Sequence, residues 1–370
     1  MYLEQIELQN FKNYASLSLH FTPGIQALVG ENGSGKTNLL DAIHYLSLTK
    51  SAFNPIDQQN IRHHEGYFTI KGVFKRENSP ETVFCGYEKA RKKIIRHNEL
   101  TYEKVSQHIG RFPVVMIAPQ DQDLILEGSE ARRRFFDSVI AQIDAEYLQN
   151  LLHYQYYLQQ RNALLKTYYE QRQWDEDLCQ TYDAGMLHFG QKIYARRQHF
   201  LQDFQPFFQS QYQQLAGQKE SPQLSYHSDF GQTDIAQAFI KAREADQRLQ
   251  RTTVGIHRDD FIFQLESYPL KKFGSQGQQK SYLLALKLAQ FAIVRQELAL
   301  KPILLLDDIF DKLDDARMQA LVEMVSQQTF GQIFLTDARP ERSLSVLAAL
   351  NTEKQMFFIQ QGKLNKTQIF

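Results

Sequence analysis

Between the apolar run IQALV and an amphipathic segment lies Gly30-Glu31-Asn32-Gly33-Ser34-Gly35-Lys36-Thr37, the stretch that most constrains the fold. It satisfies G-x-x-x-x-G-K-[ST], a pattern that carries its chemistry only between a strand and a helix. Both flanks are present. Ile25–Val29 reads as a short buried strand, and from Lys36 to Leu48 the apolar residues Leu39, Leu40, Ile43 and Leu46 recur at helical spacing. Glycines let backbone N–H groups turn inward without Cβ clashes. Those groups and the positive end of the helix hold phosphate oxygens. Lys36 adds a cation at the β/γ-phosphates, Thr37 offers its hydroxyl to Mg2+, and Asn38 follows in the first helical turn. The loop is expected to bind a nucleoside triphosphate.

A second acidic element lies near the other end of the chain. PILLLDDIFDKLDD puts Asp307 and Asp308 at the end of an apolar strand. Asp307 is placed to hold Mg2+ opposite the loop threonine, and Asp308 to orient an attacking water. Two acidic residues after a strand more often make a turn or cap; the pairing with a phosphate loop favours the metal reading. Gln120, after the strand VVMIAP, reads either as a further metal or nucleotide contact or as an ordinary polar loop residue.

KFGSQGQQKSYLLALKLA places Ser275, Gly277 and Gln278 just before a long helix. Alone, this is either an N-cap by Ser275 or a second anion site. One chain then carries two phosphate-binding elements where one loop needs only one. A C2 dimer in which each such turn completes the partner's site, with two ATP molecules between the subunits, accounts for both.

The rest of the chain sets the frame. Its 370 residues suffice for two domains or one domain with a large lobe, and 42% are hydrophobic. Forty-two basic residues balance forty-two acidic ones, which excludes a uniformly polycationic protein but not a local basic strip. The two cysteines, Cys85 and Cys179, have no zinc spacing and read as free thiols. No signal-like or membrane-length apolar run occurs, so a cytoplasmic protein without a membrane partner is expected. YLEQIELQNF and ASLSLHF read as a hairpin, TTVGIHRDDFIFQL as a strand, and MFFIQQGKL as a terminal hairpin. From about Glu130 to Gly217 the chain is nearly free of Gly and Pro, and a helical lobe is expected; Leu151, Leu158 and Leu165 fall seven apart. The expected fold class is α/β. An ATPase lobe with a mixed sheet flanked by helices is built from residues 1–120 and 246–370, with a mostly helical second lobe at 121–245.

The motifs NFKNY, GENGSGKTNLLDAI, GSEARRRFFD, GIHRDD, FGSQGQQKS and LLLDDIFDKLD together resemble those of the RecF family, DNA-repair relatives of the SMC proteins among the ABC-type ATPases. The resemblance spans nearly the whole chain. It implies an ATPase that dimerises on DNA around two ATP with Mg2+ and hydrolyses slowly with stimulation by DNA. It implies action with RecO and RecR to load RecA at single-strand gaps, on duplex DNA and single/double-strand junctions without sequence preference. Carried over by position, Gly30 to Thr37 form the Walker A loop, Asp307 and Asp308 the Walker B pair, and Ser275 to Gln278 the signature, acting in trans. Lys12 stands where the family commonly has Arg, which weakens any bidentate grip. Thr336 and Asp337 stand where many ABC ATPases place a switch histidine.

Two rival classes fit less well. The nucleotide-binding subunit of a transporter usually carries L-S-G-G-Q and the switch histidine; here GSQGQ stands alone. An SMC protein needs hundreds of heptad residues between its ATPase halves. For DNA, the basic residues Arg132, Arg133, Arg134, Arg161, Lys166, Arg196 and Arg197 and the run KARKKIIRH from Lys89 to His97 are the candidate phosphate contacts. By composition alone a solvated face is the preferred account of each cluster.

Overall fold

The protein is described by a computed structural model that covers all residues except 78, 172–173, 219, 232–233, 310–329, 349, 351 and 370. The chain opens with β1 (Tyr2–Phe11), β2 (Tyr14–His20), β3 (Ile25–Val29) and α1 (Lys36–Leu48). β4 (Tyr67–Arg76), β5 (Ser79–Glu88), β6 (Ile94–His97), β7 (Leu100–Thr101) and β8 (Val114–Ile117) follow. Next come α2 (Asp123–Leu126), α3 (Ser129–Ile143), α4 (Ala145–Gln171) and α5 (Glu176–Ala216). β9 (Pro222–His227), α6 (Ile235–Leu249), β10 (Asp260–Leu265), β11 (Tyr268–Pro269), α7 (Leu270–Phe273) and α8 (Gln276–Leu298) precede the last group. That group is β12 (Ile303–Leu306), β13 (Ile333–Asp337), α9 (Pro340–Ala348), β14 (Lys354–Gln360) and β15 (Lys363–Ile369).

Two compact units result: Met1–Asp121 with Gln214–Ala216 and Leu283–Phe370, and Gln122–Gln213 with Gly217–Tyr282. In the first unit, β2-β1-β4-β5-β6-β7 form an antiparallel sheet. A mixed sheet runs β15-β14-β3-β13-β12-β8, parallel throughout except for β15. β3, β8, β12 and β13 are buried at every position, which is why they read as unbroken apolar runs rather than as alternation. Phe21 packs edge-on against Phe334 and Phe357, and Leu39, Leu40, Ile43 and Leu46 of α1 enter the same core.

The second unit consists of α2–α7, the start of α8, and the antiparallel sheet β11-β10-β9. Residues 246–282 lie in this unit, not with the C-terminal ATPase segment as the sequence suggested, because β10 pairs along its length with β9. TTVGIHRDDFIFQL is a strand only from Asp260; Ile256–Arg258 form a tight turn. On α4 the buried stripe is Tyr147, Asn150, Tyr154, Arg161 and Leu165, so only Leu165 of the three spaced leucines is fully buried. The α/β ATPase-head class and the largely helical second lobe both follow from these elements.

Candidate nucleotide-binding site

In the mixed sheet, register places the C-terminal ends of β3, β8, β12 and β13 along one edge: Leu306 opposes Ile117 and Leu335, while Asp337 opposes Val29. Loops leaving these ends converge there, as ligand sites do in open α/β sheets. They enclose a cavity of about 310 Å³ lined by Lys36, Thr37, Asn38, Gln120, Asp307 and Thr336, together with Asn32, Gly33, Gly35, Pro119 and Asp308. Residues from opposite ends of the chain thus meet around one cleft, with Gln120 on its wall.

The loop's shape rests on its glycines. Gly30 and Gly35 have φ of 152° and 118°; a Cβ on Gly30 would come within 2.1 Å of the Ile359 carbonyl oxygen. Two residues of NFKNY brace the loop from outside. Tyr14 donates its hydroxyl proton to Gly35 O at 2.9 Å, and Asn13 Nδ2 donates to Ser34 O at 3.2 Å while its Oδ1 accepts from Asn38 Nδ2 at 2.7 Å. Asn38 therefore supports the loop from behind. Lys12 forms an ion pair with buried Asp41 at 2.5 Å, so its single ammonium ties β1's end to α1 without the fork an arginine would bring.

Lys36 Nζ donates to Gly30 O at 2.6 Å and Glu31 O at 2.9 Å, so the ammonium lies inside the curl of the loop. Burial lowers its pKa, with Asp308, Asp307 and Asp337 opposing that pull. Thr37 Oγ1 donates to Asp307 Oδ1 at 2.8 Å, and Thr336 Oγ1 donates to the same oxygen at 2.9 Å. Burial raises the Asp307 pKa against these two hydrogen bonds. A hydroxyl and a carboxylate as hard oxygen donors suit Mg2+. Asp308 adopts φ 49°, a left-handed conformation that Asp tolerates, and its N–H donates to Thr336 Oγ at 2.8 Å. One threonine hydroxyl thus orients both acidic residues, a role not legible beforehand; its only sequence sign is its place at the end of GQIFL.

Asp337 is fully buried and accepts from Arg342 Nη2 at 2.5 Å, Ser343 Oγ at 2.8 Å and Arg339 N–H at 3.0 Å. Burial pushes its pKa up, but these donors bring it below the usual carboxylate range. It is a structural acceptor committed to the start of α9.

The signature turn lies in the second unit with Ser275 exposed. The basic clusters proposed for DNA are largely spoken for within that unit. Arg161 is fully buried between Asp183 at 2.6 Å and Asp246 at 2.7 Å. Arg197, 1% exposed, joins Asp137 and Asp259, each at 2.8 Å. Arg132 forks onto Asp260, Arg133 donates to Ser129 Oγ and Asp259 O, and Arg196 pairs with Asp144. The contacts of Arg132, Arg133 and Arg197 join GSEARRRFFD to GIHRDD, and the burial of Arg161 and Arg197 removes both from the candidate DNA contacts. Arg134 and Lys166 remain exposed. In KARKKIIRH, Lys93 is tied to Asp57 and Thr49 O, and Arg96 lies over Phe84, while Lys92 is exposed. The LLLDDIFDKLD motif beyond Ile309 falls outside the described residues.

A phosphate loop and a carboxylate-ended strand at one edge of a mixed sheet, with a helical second unit, define an ABC-type ATPase head. Comparison with known proteins narrows the class. The family described as RecF/RecN/SMC N terminal domain matches residues 2–363. The DNA replication and repair protein RecF of Flavobacterium johnsoniae is 44% identical, covering 96% of this chain and 99% of that protein; RecF of Cytophaga hutchinsonii is 42% identical over 99% and 97%. A solved structure of the recombination mediator protein RecF-ATP in the RecFOR pathway superposes with a TM-score of 0.89 at 28% identity, covering 98% and 97% of the two chains. An Smc head domain from Pyrococcus furiosus shares the fold at a TM-score of 0.55 and 16% identity, covering 100% and 96%. The chain belongs to the RecF family of DNA replication and repair proteins.

Proposed function

We propose that the protein is a DNA-binding repair ATPase that closes as a homodimer around two ATP molecules and hydrolyses them slowly, stimulated by DNA. Family membership and the likeness to a RecF-ATP structure support ATP as the substrate. The observation that carries the reading is the meeting of Thr37 with Asp307 at 2.8 Å, which makes a triphosphate loop and a hydrolytic carboxylate one site. In this reading the N–H groups of Gly33 to Thr37 and the Lys36 ammonium hold the β/γ-phosphates. Thr37 and Asp307 hold Mg2+, which supplies charge neutralisation when bound, with Gln120 on the same wall. Asp308 accepts a hydrogen bond from the attacking water, whose oxygen bonds to the γ-phosphorus as the β–γ bridging oxygen leaves with ADP; one water proton stays on the released phosphate and the other goes to solvent. The Ser275 turn closes the partner's site. The RecF relatives' role in replication and repair supports the wider assignment: RecO and RecR as partners, RecA loading at gaps, fork maintenance and the SOS response, in the cytoplasm. DNA is held through its backbone, on duplexes and single/double-strand junctions, with steep salt dependence.

Ser275→Arg tests the shared site. The variant should bind ATP, because Ser275 is outside its own phosphate loop, yet fail to dimerise. Mixing it with Lys36→Ala allows one composite site to assemble, so ATPase activity should return on mixing. Light scattering that shows an ATP-loaded Ser275→Arg dimer as tight as wild type refutes the arrangement.

A further inference from the structure

The turn that opens α8 is closed by a reciprocal cap. Ser275 N–H donates to Gln278 Oε1 at 2.7 Å, and Gln278 N–H donates to Ser275 Oγ at 3.2 Å. The other end of the Gln278 amide is also engaged, with Nε2 donating to Glu220 Oε1 at 2.8 Å. The second Glu220 oxygen accepts the hydroxyl proton of Tyr212. Tyr212 is fully buried, its ring 6.2 Å from that of Tyr282 on α8. Glu220 is fixed along the backbone as well: its neighbour Ser221 donates its N–H to Glu266 Oε1 at 2.6 Å and accepts from Glu266 N at 3.1 Å. All of these residues belong to the second unit.

The order of these bonds has a direction. An ionised carboxylate only accepts, so Gln278 must turn its NH2 toward Glu220. Its carbonyl oxygen must then face Ser275 N–H. The opposite amide orientation would set NH2 against N–H and the carbonyl against the carboxylate. With its carbonyl oxygen held by Ser275 N–H and one amide N–H given to Glu220, the Gln278 side chain keeps a second N–H, in an orientation set by those two bonds. The exposed Ser275 hydroxyl, whose oxygen accepts from Gln278 N–H, keeps its own proton to donate. We infer that Glu220 is a positioning residue for the signature turn: it fixes the Gln278 amide, and through it Ser275, against the buried Tyr212. The inference rests on the proposal that this turn completes a partner's nucleotide site.

Glu220→Ala removes the acceptor and frees the amide. Loss of one charge-assisted hydrogen bond corresponds to about tenfold per site, hence about a hundredfold in the association of a dimer with two such sites. ATP affinity of the monomer should stay within about twofold, and raising the protein concentration should restore ATPase activity. Glu220→Gln, which keeps an acceptor oxygen, should lose less. ATP-dependent dimerisation is read by light scattering, ATP affinity by isothermal titration, and Ser275→Arg runs alongside. If Ser275→Arg abolishes dimerisation while Glu220→Ala dimerises within about threefold of wild type, the positioning role is overturned and the shared site stands. If Ser275→Arg also dimerises normally, the shared site itself fails. If Glu220→Ala weakens ATP binding as much as dimerisation, Glu220 serves general stability and the inference is likewise overturned.

Discussion

Arg197→Met separates a structural cation from a nucleic-acid contact. The guanidinium donates to both oxygens of Asp137 at 2.8 and 2.9 Å, to Asp259 Oδ2 at 2.8 Å and to Ile256 O at 3.0 Å. Methionine fills similar volume but leaves two carboxylates facing each other without a cation, and Asp259 is 1% exposed. Breaking a buried pair in this way costs about 3–5 kcal/mol. With a urea slope of about 1–3 kcal/mol per M, the midpoint of the second unit should fall by at least about 1 M. The only tryptophan, Trp174, lies in that unit, so its fluorescence reports the transition directly. Were Arg197 a DNA contact, stability would change by no more than about 0.5 kcal/mol. The slope of log affinity against log salt would instead shrink by about one. An unchanged urea midpoint with weakened DNA binding refutes the buried-hub account. Arg134, exposed and paired with exposed Glu130, should show the reverse pattern on mutation to Ala.

Lys36→Ala should leave the fold intact, since it removes two hydrogen bonds to loop carbonyls, but should weaken ATP binding at least about a hundredfold; unchanged affinity by isothermal titration removes the loop assignment. Acid should destabilise the chain between about pH 6.5 and 4. Burial lowers the pKa of His108 and His257 to about 4, so across that window the unfolded chain takes up protons that the folded chain does not. The stability that depends on their neutral form is complete above the ordinary histidine pKa and is lost as pH falls toward 4. His108 Nε2 bonds Leu46 O and its Nδ1 is buried without a hydrogen-bond partner among the described residues, so His108→Gln should flatten the melting-temperature decline over this range, and an equally steep decline in the variant contradicts the assignment.

What the sequence made legible was what repeats locally or has a fixed spacing. The phosphate loop, its flanking strand and helix, and the apolar run before Asp307 are each contiguous, so period and composition suffice to place them. Register then does the rest: once β3, β12 and β13 lie parallel, Thr37 and Asp307 meet. Side-chain partnerships between distant segments were not legible. Arg161 and Arg197 look like any other basic residue on a polar helix, because nothing local signals that Asp183, Asp246, Asp137 and Asp259 will enclose them. Nor does anything local signal that the Gln278 side chain will bridge Ser275 N–H to Glu220.

The arginine-rich and GIHRDD motifs show how a family mark and a functional contact can differ. Each motif supplies one half of a polar joint whose buried centre is Arg197 with Asp259: Arg132 reaches the part-exposed Asp260, Arg133 reaches the backbone of Asp259, and Arg197 bridges Asp137 to Asp259. Such joints are costly to break at one partner and depend on geometry at both, so they fix which residues can stand at either position without touching any ligand. His257, between the Tyr154 hydroxyl at 2.8 Å and Thr252 O at 3.1 Å, and Asp259, bound by Arg197 and Tyr226, pin the turn on both sides of Arg258. The specificity of the GIHRDD motif therefore records how the second unit is held together, and its exposed member, Arg258, is the residue left to solvent by that packing.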